Sequence, residues 1–172
     1  GSLFRHNLRT KQQEVTREEE LEGLDDYIYL QQMRFDGRIT VEKKIEADPA
    51  AVRLPSFTLQ PIVENAFSHG LKSCEEGGRI LLRVWMQGTR LILTVADNGK
   101  GMPPEELDAL QEKIAQSEQT GRSIGLGNIS RRIAMLYPDG AMKIYSRPGH
   151  GTVIRFEIPQ QVRQEVADSH EV

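Results

Sequence analysis

The residue best placed to do chemistry is Asp97, which closes the apolar run Leu91-Ile92-Leu93-Thr94-Val95-Ala96 and is followed by Asn98-Gly99-Lys100-Gly101-Met102. A carboxylate held at the rim of a buried strand can only accept hydrogen bonds. It therefore suits a ligand edge that donates them, such as the exocyclic amine of adenine. Gly99 and Gly101 permit a sharp turn and leave room for a flat ring beside the backbone. Asn-Gly between apolar runs is also a hairpin signal. However, Met102-Pro103-Pro104-Glu105-Glu106-Leu107 reads as a helix start, with early proline and an acidic first turn, and not as a return strand. A second polar set, Glu64, Asn65, Ser68 and His69, falls on one side of a stretch whose other side is apolar. The carboxamide oxygen of Asn65 is a neutral ligand for Mg2+, which prefers oxygen and keeps waters and phosphate oxygens around it. Gly125-Leu126-Gly127-Asn128 opens a further helix, where unpaired N–H groups and the positive dipole end favour phosphate. Thr152 offers a hydroxyl that can support an adenine contact or a bridging water. Taken singly, each of these has an ordinary structural explanation: a solvated helical amide, a helix-entry loop, a strand threonine.

The elements that must position these groups are legible in the hydrophobic spacing. Thr16-Arg17-Glu18-Glu19 matches a capping box, and Leu21, Leu24, Tyr27 and Ile28 recur at helical spacing, which predicts a helix over Arg17 to Met33 ended by Asp36-Gly37. Ile39, Val41 and Ile45 alternate with polar residues as a half-buried strand bounded by Asp48-Pro49. Between Leu54 and Leu71, Leu59, Ile62, Val63, Ala66 and Phe67 form one helical face, with Gly70 as the stop. Pro61 implies either a late start or a kink. Ile80, Leu82, Val84 and Met86 then face Leu91, Leu93 and Val95 across a hairpin at Gln87-Gly88. Glu105 to Ile114 is helical. Ala115 to Ser123 is polar, with Gly121 as a hinge candidate, and Lys113 to Gly121 has few apolar residues to anchor it, so a mobile segment is expected there. Ile129, Ile133 and Leu136 mark the buried stripe of the next helix, stopped by Tyr137-Pro138. Met142 and Ile144 begin a strand, and Thr152, Ile154, Phe156 and Ile158 return on one face. Strands that come in hairpins rather than in strand-helix-strand alternation predict an α+β fold: a two-layer α/β sandwich with a mixed, mainly antiparallel sheet and helices on one face.

The 172 residues suffice for one domain with an appended helix. With 38% apolar and 27% charged residues the chain falls in the globular class, and a net charge of −3 gives no footprint for nucleic acid or an anionic membrane. No apolar run reaches the length of a membrane span. A lone Cys74 fits a reducing compartment. Gly1-Ser2 resembles a cloning scar, so residues 1–15 are expected to be that scar and the stub of an upstream helical region, 16–160 the domain, and 161–172 a charged, disordered tail.

Four ordered pieces, Glu64-Asn65-Ala66-Phe67-Ser68-His69-Gly70, Asp97-Asn98-Gly99-Lys100-Gly101-Met102, Gly125-Leu126-Gly127-Asn128 and Gly149-His150-Gly151-Thr152, resemble the ATP-binding domain shared by histidine kinases, DNA gyrase, Hsp90 and MutL. Gln60-Pro61-Ile62-Val63 before them, with Tyr29 to Phe35, looks more narrowly like the LytS-type and YesM-type bacterial sensor histidine kinases. The resemblance implies the Bergerat-type ATP-binding fold, ATP and Mg2+ as cofactors, and Asn65 as the metal ligand. It also implies a nucleotide site formed by Asn65, His69, Asp97, Gly99, Gly101, Met102, Gly125, Leu126, Gly127 and Thr152. His69 is then a pocket wall rather than a phosphoacceptor. The family's lysine one residue earlier is Ser68 here, and spacing does not choose among Lys100, Lys113 and Arg122 as its replacement. Related ATPases carry a glutamate four residues before the metal-binding asparagine. Here that position is Pro61, which favours phosphoryl transfer to a protein histidine, with Glu64 and Asn65 as catalytic candidates, over the alternative of ATP hydrolysis activated by Glu64. The phosphoacceptor of such kinases lies in a proline-histidine-phenylalanine motif on an upstream dimerising segment, which His6, His150 and His170 do not match. The implied setting is the cytoplasmic part of a membrane-anchored homodimeric kinase with a response regulator as partner. As a fragment, the chain should bind Mg-ATP without phosphorylating itself.

Overall fold

The computed structural model describes residues 14–48, 53–55, 59–120 and 125–160. The chain runs β1 (Glu14–Thr16), α1 (Arg17–Arg34), β2 (Ile39–Ile45), β3 (Arg53–Pro55) and α2 (Leu59–Asn65), which passes directly into a π-helical turn (Ala66–Gly70). It continues with β4 (Gly78–Gln87), β5 (Arg90–Asp97), α3 (Pro104–Thr120), α4 (Gly125–Leu136), β6 (Ala141–Arg147) and β7 (Gly151–Pro159). The main sheet has the order β2-β4-β5-β7-β6. Only β2 and β4 pair in parallel, their crossover carrying α2 and the π turn, and the other pairs are antiparallel. The α+β sandwich expected from the hairpins is the observed architecture.

Register explains where the site lies. The inner face is built of cross-strand rows: Val84, Leu93, Phe156 and Met142 form one, and Leu82, Val95, Ile154 and Ile144 the next. The last row of this face reads Ile80, Asp97, Thr152 and Ser146. An apolar face thus turns polar at one end. Leu24 and Ile28 of α1, Ile62, Val63 and Phe67 of α2 and its π turn, and Ile129 and Ile133 of α4 cover the apolar rows, all buried. Removing a side chain of that size from water contributes about 1.5–3 kcal/mol. On the outer face Trp85 is flanked by the guanidinium groups of Arg83 at 4.3 Å and Arg155 at 5.7 Å, and its cross-strand partner Ile92 is buried.

Several expectations change. The segment from Leu54 is not helical at its start: Leu54 belongs to β3, which pairs with β1, and α2 begins at Leu59. Pro61 therefore sits in the first turn, where its missing N–H has no intrahelical partner to lose, and no kink is needed. Met86, next to the turn at Gly88, is 39% exposed, and Leu136 at the end of α4 is 37% exposed, with Tyr137 buried in its place. Ala115 to Thr120, expected to be polar and mobile, extend α3, consistent with the helix propensity of Ala, Gln and Glu, and Ile114 and Ser117 are buried. The side chain of Thr16, Gly121, Arg122, residues 1–13 and the tail from 161 lie outside the described residues.

Candidate functional site

Two adjoining cavities open between α2, α3, α4 and the polar end of the sheet. The first, of about 340 Å³, is lined by Asp97, Met102, Thr152, Asn65, His69 and Lys113 among others; the second, of about 400 Å³, by Pro61, Glu64, Ser68, Gly125 and Lys113. Both include Asn65, His69, Leu110, Lys113 and Leu126 in their walls, so they form one cleft with two lobes. Asp97 stands in the first lobe. Asn65 stands at the junction.

Asp97 is 9% exposed. Its Oδ1 accepts from the Gly99 N–H at 2.9 Å, and the carboxylate also accepts from the backbone N–H of Thr152. Burial raises its pKa above the ordinary carboxylate value, opposed by those two N–H groups. Asn98, beside it, is structural: its Oδ1 accepts from the Arg79 N–H at 2.7 Å and its Nδ2 donates to the Gly77 carbonyl at 2.9 Å, which fixes the end of β5 against the start of β4.

The glycines around Asp97 do something other than clear space for a ring. A Cβ on Gly99 would lie 1.9 Å from the Gly70 carbonyl oxygen, and one on Gly70 would lie 2.6 Å from Asp97 Oδ1. Gly101, at φ +65°, faces the Arg147 carbonyl with the same 1.9 Å clearance. These positions let three backbone segments pass in contact beneath the site, tied by Lys100 N–H to Gly70 O at 3.1 Å and Gly149 N–H to Lys100 O at 2.7 Å. Gly70 is thus more than a helix stop. It belongs to the π turn, closed by Leu71 N–H to Ala66 O at 2.9 Å, and carries the chain under the carboxylate.

The remaining expected residues divide by position. Asn65, His69, Asp97, Gly101, Met102, Leu126 and Thr152 line the first lobe, while Glu64 and Gly125 line the second. Gly99 supports Asp97 from behind, and Gly127 is buried in the first turn of α4 without reaching the cleft wall. Of the candidate cations, Lys113 lines both lobes and Lys100 the first alone. Spacing could not make that choice, because it depends on Lys113 facing the cleft from α3, the segment expected to be mobile. Ser146 was missed altogether. Its signal was available as the position two residues after Ile144 on the same strand face, opposite Thr152. On the α1 side, Phe67 is stacked on Phe35 with ring centroids 5.7 Å apart and meets Tyr27 edge-on at 6.3 Å. The Tyr27 hydroxyl is pushed up to about 12, first by burial and then by the nearby charge of Glu64, with Arg34 opposing.

Among the described residues, no helix is long and apolar enough to cross a membrane and no cluster of three or more His, Cys, Asp or Glu could hold a metal by itself. A single neutral carboxamide at the junction of the lobes fits Mg2+ held jointly with phosphate oxygens and water.

Residues 55–162 match the model of the histidine kinase-, DNA gyrase B- and HSP90-like ATPases, and residues 1–39 match a histidine kinase model. The chain is 33% identical to the sensor protein LytS of Streptococcus agalactiae over 99% of its own length and 29% of that protein's. It is 34% identical to the sensor histidine kinase YpdA of Escherichia coli over 92% of its length and 27% of that protein's. It therefore spans under a third of the curated relatives it matches. Its fold superposes on the nucleotide-free catalytic domain of the histidine kinase ThkA with a TM-score of 0.62 at 19% identity, covering 86% of this chain and 95% of that one.

Proposed function

Because this chain belongs to the histidine kinase-, DNA gyrase B- and HSP90-like ATPase family, as the ATP-binding catalytic domain of a two-component sensor histidine kinase similar to LytS and YpdA, we propose how its cleft is used. Adenine would sit in the first lobe with its amine on Asp97 and the triphosphate would extend past Asn65 toward the second, where Asn65 would hold Mg2+, which supplies charge neutralisation for the phosphates. The observation that supports this most is that Asp97, from the sheet, and Asn65, from α2, line one cavity.

The chain's own residues then have separable tasks. Asp97 orients the base by accepting from its amine, with Thr152 beside it in register. Met102, Ile144, Ile154 and Leu126 give the first lobe apolar walls against which a ring is desolvated. Asn65 supplies one oxygen to the metal. Lys113 brings a positive charge to both lobes and thus to the phosphates. Glu64, exposed at the second lobe, would accept the proton of an attacking imidazole. Phosphoryl transfer depends mainly on such positioning and charge neutralisation. The nucleophile is a histidine on an upstream segment, and the whole kinase is a membrane-anchored homodimer whose phosphoryl group passes to a response regulator.

Mixing this chain with a separately made upstream fragment and γ-labelled ATP should place acid-labile label on the fragment and none on this chain. Label on this chain alone, or rapid phosphate release without label on either, contradicts the transfer reading and favours hydrolysis. Lys113→Ala should weaken Mg-ATP binding by roughly three- to tenfold, modest because the ammonium is exposed, while adenosine affinity measured by calorimetry stays unchanged. An equal loss for adenosine would place Lys113 at the base and not at the phosphates.

A further inference from the structure

We propose that Ser146 is a positioning residue that sets the direction of the Thr152 hydroxyl and so makes the base lobe selective for a nucleobase edge that donates. This rests on the nucleotide reading above and deepens it. Ser146 Oγ accepts from the Met102 N–H at 2.8 Å, lies 3.0 Å from the Gly151 carbonyl oxygen and 2.8 Å from Thr152 Oγ1. A hydroxyl has one proton and two lone pairs. A carbonyl only accepts, so the Ser146 proton goes to Gly151, and the contact with Thr152 is made by the Thr152 proton. Both lone pairs of Ser146 are then in use, on Met102 and Thr152.

The consequence appears on the other side of Thr152, which lines the base lobe while Ser146 does not. With its proton turned back to Ser146, Thr152 offers the cavity lone pairs alone. Asp97, its partner in the strand register, also accepts only when ionised. Two adjacent acceptors match an exocyclic amine or a bridging water that donates to them. A 6-oxo purine presents an acceptor at the same place and meets two acceptors. A site whose polar groups fit one hydrogen-bond pattern discriminates strongly against the opposite pattern, because its buried groups go unpaired.

Removing the Ser146 hydroxyl frees Thr152 to turn its proton into the cavity and satisfy a 6-oxo group. The test is calorimetric affinity for Mg-ATP and Mg-ITP in wild type, Ser146→Ala, Ser146→Thr, Thr152→Val and the Ser146→Ala/Thr152→Val pair. The ATP-to-ITP preference should fall about tenfold in Ser146→Ala and return in Ser146→Thr. In the Thr152→Val background, Ser146→Ala should leave the preference where Thr152→Val alone put it. Ser146→Cys, with a thiol that is a weak donor and acceptor, gives the same comparison if the alanine variant does not fold. An unchanged preference, or equal losses for both nucleotides, overturns the proposal and leaves the nucleotide site standing. Failure of the wild-type chain to bind either nucleotide overturns the nucleotide reading and this proposal together.

Discussion

Asp97→Asn should cut Mg-ATP affinity about 100-fold while leaving the unliganded protein at least as stable as wild type. The carboxamide keeps the size of the carboxylate and an oxygen for the Gly99 N–H, and any weaker acceptance from the Thr152 N–H is set against the larger relief of a buried charge. Its amino group, however, opposes the adenine amine donor to donor, and loss of a charge-assisted bond in a buried site is worth about two powers of ten. The stability half follows from linkage. Burial raises the Asp97 pKa in the fold, so the folded chain binds the proton more readily than the unfolded one. The stability this group contributes is present in full below its unfolded pKa and is lost as pH rises through the raised folded value. At neutral pH the ionised carboxylate therefore costs stability that the neutral amide does not. Melting curves without nucleotide should place Asp97→Asn at or above wild type near pH 7.5, with the gap closing as pH falls. Wild-type ATP affinity should fall over the same acidic range. A variant that melts well below wild type at pH 7.5 would mean that Asp97 serves the fold and not the base.

Gly99→Ala should be damaging for the opposite reason. The added methyl would meet the Gly70 carbonyl oxygen at 1.9 Å and its carbonyl carbon at 2.3 Å, and both belong to backbone that cannot rotate away. Relief requires the π turn to retreat, which breaks the Lys100 N–H bond to Gly70 and draws the floor from under Asp97. A loss of about 3 kcal/mol is expected from this overpacking, or roughly 10 °C in melting temperature for a chain of this size. Mg-ATP should give no recovery, because the same shift disturbs the carboxylate. A near-normal melting point with intact nucleotide binding would show that the two segments part easily.

The contrast between these variants bears on what could be read from the chain before its structure. Alternation in the five strands of the main sheet and the helical stripe of Leu59, Ile62, Val63, Ala66 and Phe67 specify the layers, because one-sided burial imposes those periods. Asp97 was legible because a carboxylate at the end of an apolar strand is conspicuous. The purpose of Gly99 was not. It depends on a segment some thirty residues earlier passing within contact distance, and no local pattern encodes that approach. Pro61 illustrates the same limit: whether it kinks a helix or opens one turns on where the helix begins, which the spacing of Leu59, Ile62 and Val63 does not mark. Ser146 escaped because its role arises from strand register, and Lys113 could not be singled out from Lys100 and Arg122 because that choice depends on which face of α3 closes the cleft. Residue type at those positions is unremarkable. The site is therefore clearest in sequence where one residue acts alone, and least clear where it depends on contacts between distant segments.

The most direct test of the two-ended cleft is a crystal structure of this chain with Mg2+ and a non-hydrolysable ATP analogue. The account predicts the adenine amine within hydrogen-bond distance of the Asp97 carboxylate, and one metal coordinated by Asn65 Oδ1 together with phosphate oxygens. A base bound away from Asp97, or a metal on the triphosphate with Asn65 turned outward, would contradict it.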